Sequence, residues 1–344
     1  MSAEPLRLGS RRSPMAMAQS GEVARLLTAR TGRQVELVGV TTLGDVSREQ
    51  LTQIGGTGVF VSALRESLLR GEVDFAVHSL KDLPTGMAPG IALAAIPGRD
   101  DPRDALIGRD GAKLADLPAG ARVGTGSPRR AAQLALLRAD VSCVPIRGNA
   151  NTRLARVRDG ELDAVVLAYA GLARIGHTDL VSEIFEPDDM VPAPGQGALA
   201  VECRADDSEL RALLATIDQP LPRAAVTAER SLLAALEAGC SAPVGAYATG
   251  TERLQLQAVV LGVPAANQQA GGLDADAGGR TMVVRERGEA DVADAVRLGQ
   301  ELAARMLALG AAELIGAKTE RDPAGPCQQE TGWSAPTGSR GAHD

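Results

Sequence analysis

The chain has 344 residues, enough for two or three domains, with 44% hydrophobic residues and a formal net charge of −7. An acidic balance with no dominant basic field argues against nucleic acid as the main partner. No apolar run reaches membrane-spanning length and Met1–Arg12 lacks the apolar centre of a signal peptide, so the expected location is the cytoplasm, with no membrane partner.

In chain order, Leu6 to Gly9 reads as a strand and Pro14 to about Arg30 as a helix closed by Gly32. Gln34 to Val40 is the next strand, and Gly55-Gly56-Thr57-Gly58 is a mobile glycine loop. A helix over Val61 to Arg70 leads into Val73-Asp74-Phe75-Ala76-Val77-His78, a short apolar run of the kind buried in parallel sheets. That run spills into Ser79-Leu80-Lys81-Asp82-Leu83-Pro84, and the carboxyl ends of strands are where open α/β sheets bind ligands. His78, on the strand itself, reads as a core histidine.

Pro97 to Pro102 turns polar and charged, a hinge into a second lobe, and Pro192-Ala193-Pro194-Gly195-Gln196-Gly197 is the return hinge. Between them a helix over Asn151 to Asp159 precedes Gly160-Glu161-Leu162-Asp163-Ala164-Val165-Val166, which repeats Gly71-Glu72-Val73-Asp74-Phe75-Ala76-Val77. Two copies of one helix-to-strand unit predict two similar α/β lobes. Ala198 to Cys203 is again strand-like. From Leu221 the pattern changes: a helix over Pro222 to Ala238 capped by Gly239, strands near Val244–Thr249, Gln255–Gly262 and Arg280–Arg287, and a long helix over about Asp291–Leu309. This is a small α+β domain. The tail from Thr319 has no periodicity and reads as disordered. The expected division is 1–98 with 194–216 as the first lobe, 102–192 as the second, 220–316 as the third domain and 319–344 as tail.

Three strand-to-helix junctions share one design. Ser13-Pro14 and Ser127-Pro128 place a capping serine before a first-turn proline, and Asn151 or Thr152 caps the third junction after Arg147-Gly148-Asn149. Helix N-termini bind anions, yet Arg11, Arg129, Arg130, Arg147 and Arg153 crowd these ends. Cations there oppose the helix dipole, which makes sense where a ligand with several carboxylates arrives between them.

Only Lys81, Lys113 and Lys318 of the 36 basic residues are lysine, and one of these three sits beside Asp82. The four cysteines, Cys143, Cys203, Cys240 and Cys327, are too scattered for a zinc site, and a cytosolic chain keeps them as thiols. Cys240 follows a helix end, whose partial negative charge disfavours a thiolate. It reads either as a structural cysteine or as a permanent thioether anchor.

The motifs Val77-His78-Ser79-Leu80-Lys81-Asp82-Leu83-Pro84, Asp101-Pro102-Arg103-Asp104-Ala105, Val123-Gly124-Thr125 with Arg129-Arg130, Arg147-Gly148-Asn149, Pro194-Gly195-Gln196-Gly197-Ala198 and Gly239-Cys240 occur in the order found in hydroxymethylbilane synthases, also called porphobilinogen deaminases. From near Leu6 to about Leu314 the chain resembles that family. The resemblance implies two lobes like those of periplasmic solute-binding proteins and a third domain carrying a covalent dipyrromethane cofactor on Cys240. It implies a monomeric transferase of porphyrin and heme biosynthesis that deaminates and joins four porphobilinogen molecules on that primer and releases the linear tetrapyrrole. Asp82 matches the catalytic aspartate. Lys81, Ser79, Thr125, Ser127, Arg129, Arg130 and Arg147 match cofactor contacts, and Arg11, Arg153 and Gln196 match substrate contacts, with no metal. Gln53 and Thr57 stand where the family commonly has lysine, and Pro128 where leucine is more usual. The alternative from another class is a non-catalytic bilobed binding module for a small polycarboxylate, which has no use for Cys240 on a third domain.

Overall fold

Two of the three sheets among the described residues follow one plan. The computed structural model describes residues 4–40, 58–239, 242–262 and 282–315. Its first sheet contains β1 (Leu6–Ser10), β2 (Val35–Gly39), β3 (Phe75–Ser79), β4 (Ile91–Ala95) and β10 (Leu199–Arg204), in the order β2-β1-β3-β10-β4. The second contains β5 (Asp104–Gly108), β6 (Arg122–Thr125), β7 (Ser142–Pro145), β8 (Ala164–Ala168) and β9 (Glu183–Ile184), in the order β7-β6-β8-β5-β9. In each sheet the first three strands are parallel and the fourth runs antiparallel to both neighbours.

The repeated segment accounts for this symmetry. β3 and β8 occupy the same third position, and each is preceded by a glycine in the left-handed region, Gly71 at φ 68° and Gly160 at φ 78°. Asp74 N donates to Arg7 O at 2.8 Å while Arg7 N donates to the Asp74 carboxylate at 2.7 Å. Asp163 and Arg122 make the same bracket, at 2.9 and 2.8 Å. The aspartate of the repeat therefore pins the neighbouring parallel strand in both lobes, which explains why it recurs before each apolar run.

The fourth strand of each sheet is supplied by a crossing: β5 follows the outward crossing after β4, and β10 follows the return after β9. The crossings run side by side. Arg99 bridges Ala198, and Asp100 N donates to Gly197 O at 3.2 Å.

Helices α1 (Pro14–Thr31) and α3 (Pro128–Leu137) start as the sequence predicts. Ser13 Oγ accepts from Ala16 N at 3.3 Å, Ser127 Oγ accepts from Arg130 N at 3.4 Å, and a proline follows each cap. Gly32 closes α1 at φ 73°. Helix α2 (Gly58–Leu69) packs against β3 and β1, and α4 (Ala150–Arg158) covers β8 and β5. The cap of α4 differs from expectation. Asn149, rather than Asn151 or Thr152, accepts from Thr152 N at 3.0 Å, so those two residues belong to the first turn. Helices α5 (Tyr169–Arg174) and α6 (Ser208–Ala215) complete the two lobes.

The third domain is an antiparallel sheet, β11 (Val244–Thr249), β12 (Arg253–Leu261) and β13 (Val283–Asp291), against α7 (Pro220–Ala235), α8 (Ala295–Ala308) and α9 (Ala311–Ile315). Its core joins Leu232, Leu233 and Leu236 to Leu254, Leu302 and Met306. Several boundaries move relative to the sequence reading. β13 continues to Asp291 because β12 offers partners as far as Arg253, which delays the long helix to Ala295. α7 starts two residues early because Pro220 takes the first-turn position. It ends early because Glu237, at φ 52°, is the left-handed residue, with Ala238 N donating to Leu233 O and Glu237 N to Ala234 O. Gly239 is therefore not the cap. Burial of Leu236 and Ala238 in the domain core fixes this earlier exit.

Glu229 on α7 joins the third domain to the crossings. Fully buried, it accepts from Arg99 at 2.6 and 3.1 Å, from Gly195 N at 2.7 Å and from Ala248 N at 2.8 Å. Glu229→Ala strands the covered Arg99 cation and two backbone donors, and a loss of ~3–5 kcal/mol is expected for such a pair. Urea unfolding followed by circular dichroism checks this; an unchanged midpoint would contradict the role.

Candidate active site

Strand β3 ends at Ser79 and passes into a single 3-10 turn, Leu80–Asp82, closed by Leu83 N donating to Leu80 O at 3.1 Å. Alternating character fixes how the turn sits. Leu80 and Leu83 are buried with Ile96, Ala198 and Val226, whereas Lys81 and Asp82 stay partly exposed. Among the described residues none hydrogen-bonds the Asp82 carboxylate, which leaves its oxygens to a ligand. Ser79, the last residue of β3, is partly exposed beside the turn.

The lobes meet at this turn. Lys81 Nζ donates to Gln196 Oε1 at 3.2 Å, and Gln196 Nε2 donates to the Asp104 carboxylate at 2.9 Å and to Pro102 O at 2.7 Å. Asp104, at the first position of β5, has no exposed surface. It pairs with Arg129 and Arg130, each at 2.7 Å. Burial alone would raise the Asp104 carboxyl, but these two guanidiniums hold it down at about 2. The glycines flanking Gln196 make this reach possible. Gly195 (φ 75°) and Gly197 (φ 89°) lie in the left-handed region, and a side chain at Gly197 would strike the Asp100 carbonyl.

Residues from both lobes act on one another electrostatically around the turn. Burial, with Arg130 adding like-charge repulsion, pushes the Lys81 ammonium down to about 8, against the pull of Asp82 and Asp104. Arg153 on α4 is lowered by burial and by Arg130 and raised by Asp82. Lys81 and Asp82 from the first lobe and Arg130 and Arg153 from the second therefore form one cluster.

The other predicted contacts lie at the same strand ends. Thr125 ends β6, buried, and its Oγ1 accepts from Ser127 N at 3.2 Å; Ser127 caps α3. Arg147 is exposed on the loop after β7, and Arg11, partly exposed, lies between β1 and α1. Arg129 is almost wholly buried: its Nη1 donates to Val191 O at 2.6 Å and its Nη2 meets Asp104, leaving a buried Nε without a partner among the described residues. Gln53, Thr57, Cys240, Cys327 and the tail from Thr319 lie outside the described residues.

Sequence reasoning had Asp104 only inside a motif and missed Glu229 and Glu202. Glu202 on β10 lies 3.2 Å from His78 Nε2 and accepts from Arg65 at 3.0 and 2.7 Å, so His78 is the core histidine expected. A charged residue inside an otherwise apolar strand, Glu202 in LAVECR or Glu229 on a buried helix face, was the available signal.

Residues 6–212 match the family described as porphobilinogen deaminase, dipyromethane cofactor binding domain, and residues 223–308 match porphobilinogen deaminase, C-terminal domain. The chain belongs to the porphobilinogen deaminase family. Porphobilinogen deaminase of Thermobifida fusca is 59% identical over 319 residues, 92% of this chain and 97% of that protein. Porphobilinogen deaminase 1 of Streptomyces coelicolor is 57% identical over 93% of this chain and 100% of its own length. Among solved structures, the methionine-binding protein MetQ overlaps 62% of this chain and 89% of its own at 12% identity and a TM-score of 0.40. The family is that of an enzyme with a dipyrromethane cofactor, so the binding-module alternative falls.

The residues present fit a porphobilinogen deaminase cofactor that carries several carboxylates. Lys81 and Arg153 are both destabilised as cations by burial and by Arg130, and Arg129 keeps an unsatisfied buried N–H. An arriving carboxylate relieves the strain on Lys81 and Arg153.

Because the Lys81 ammonium titrates near 8 without ligand, a bound carboxylate raises its pKa and binding takes up a proton above that pH. Loading of the acidic cofactor onto cofactor-free protein should therefore weaken as pH rises through about 8. In Lys81→Arg, whose charge persists, that weakening should vanish; intact-mass measurement of cofactor loading over pH 7–10, within roughly the lysine titration range, compares the two.

Proposed function

We propose that the cleft between the lobes is where this chain deaminates porphobilinogen and joins four units head-to-tail on its dipyrromethane primer, releasing hydroxymethylbilane. Asp82 is its catalytic carboxylate. The observation carrying this reading is the Asp82 carboxylate, free of described protein donors, at the meeting point of the cations of both lobes.

Cys240 would hold the cofactor by a thioether. Lys81, Ser79, Thr125, Ser127, Arg129, Arg130 and Arg147 would take its acetate and propionate groups. When bound, the cofactor supplies the terminal pyrrole to which the first porphobilinogen is added. Arg11, Arg153 and Gln196 orient the incoming substrate through its own carboxylates. As ammonia leaves porphobilinogen, positive charge develops on the substrate pyrrole, and the fixed Asp82 carboxylate stabilises that charge and accepts a hydrogen bond from the ring N–H. Lys81 spends one of its three donors on Gln196 Oε1, which leaves two for an acidic side chain. The division of labour follows from charge: the lysine meets anions and the aspartate meets the cation.

The domains are taken as 1–98 with 194–216, 102–192, and 220–316. The chain is read as a cytoplasmic monomer acting on a small molecule, with no nucleic-acid or membrane partner. Its acidic net charge and free Cys143 and Cys203 thiols support that reading, and no described helix is long and apolar enough to cross a membrane.

Two variants test the assignment. Intact-protein mass spectrometry should find two linked pyrrole units on the wild-type chain and none on Cys240→Ser; an unmodified mass on active protein would overturn the anchor. Asp82→Asn should retain the cofactor mass while turnover falls ~100-fold or more. Near-normal turnover would take Asp82 out of the catalytic role.

A further inference from the structure

Arg230 stands on α7, in the domain that carries Cys240, next to Glu229 and one turn beyond Val226. Its guanidinium reaches into the first lobe. Nη1 donates to Leu83 O at 2.7 Å and to Leu80 O at 3.3 Å, and Nη2 donates to Pro84 O at 2.7 Å. These carbonyls frame the turn that presents Lys81 and Asp82.

That turn is poorly supported from within. It has one 3-10 closure, the Leu83 N to Leu80 O bond, and short 3-10 segments have weak hydrogen-bond geometry. Leu80 and Leu83 anchor it from below against Val226, but apolar contacts are non-directional and do not set its orientation. Leu80 N donates to Ala198 O at 3.0 Å and fixes the start of the turn; directional control of its far end comes from the fork. A planar guanidinium meets three carbonyls in a fixed arrangement and keeps its charge at every working pH, whereas a lysine ammonium is a single flexible point donor. These three bonds go to backbone carbonyls of the turn rather than to the Asp82 side chain.

We propose that Arg230 is a positioning residue for the reaction: it fixes the Asp82 turn relative to the domain bearing the covalent cofactor. The inference rests on the reading of Asp82 as the catalytic carboxylate. Arg230 acts through the turn and touches no reacting atom. The carboxylate and the anchored end of the growing chain are thereby kept in one geometry, and a displacement of about 1 Å at such a centre costs on the order of a hundredfold in rate.

The test uses cofactor-loaded enzyme and compares Arg230→Met, Arg230→Lys, Asp82→Asn and Leu302→Ala, the last a buried residue of the same domain remote from the turn. Intact mass, Tm, kcat and KM for porphobilinogen are measured for each. Arg230→Met should lower kcat by ~10- to 100-fold while the cofactor mass stays in place and KM changes by less than about threefold. Arg230→Lys should recover part of the loss. Leu302→Ala should lower Tm yet keep kcat within about twofold, which separates misplacement of the turn from general loosening of the domain. If Arg230→Met does not fold, Arg230→Lys against Leu302→Ala decides: a kcat loss confined to Arg230→Lys supports the assignment and equal kcat values overturn it. Wild-type kcat in Arg230→Met also overturns it. An inert Asp82→Asn beside an active Arg230→Met removes only the role of Arg230, whereas an active Asp82→Asn removes the reading of Asp82 itself.

Discussion

Asp104 is a carboxylate stripped of all solvent, and the organisation of the cleft depends on what compensates it. Burying an isolated carboxylate costs several kcal/mol, so two guanidiniums and an amide gather on it. Arg129 and Arg130 approach from the first turn of α3, and Gln196 arrives from the return crossing. Gln196 then passes its remaining acceptor to Lys81 in the first lobe. One buried charge therefore ties together the second lobe, the crossing between lobes and the turn that presents Asp82.

A second buried carboxylate, Glu229, plays the matching part for the third domain. It binds Gly195 N, next to Gln196, while Arg99 reaches it from the outward crossing. Both crossings are thus held from two sides by ionised groups, Asp104 from the second lobe and Glu229 from α7. Arg230 extends the same helix contact to the carbonyls behind Lys81 and Asp82. Helix α7 of the third domain and the turn that carries the Asp82 carboxylate are joined through directional bonds.

The electrostatics of the cleft suit its ligands. Arg130 repels Lys81 and Arg153, and burial weakens both cations further. Such a cluster is under-neutralised on its own and is relieved by acidic side chains, while Asp82 sets one negative charge beside it. Porphobilinogen and its oligomers bring both kinds of charge, acetate and propionate arms around a ring that becomes cationic.

Local chemistry alone determined much of this. The strands at Leu6 and Phe75, the Ser-Pro helix starts at Ser13 and Ser127, the Gly-Glu-x-Asp repeat and the small third domain were legible because each depends on neighbours in sequence: apolar runs, capping side chains and turn residues. The motifs also carried the family. The cap at Asn149, the left-handed exit at Glu237 and the extension of β13 to Asp291 were not legible, since burial and cross-strand partners set them. Nor could the sequence reveal that Asp104 is the carboxylate met by Arg129 and Arg130, or that Arg230 grips the Leu80–Pro84 backbone. Those pairings span tens to well over a hundred residues, and only the folding of three separate cores against one another brings the charges within reach, where loss of water makes each depend on its partner.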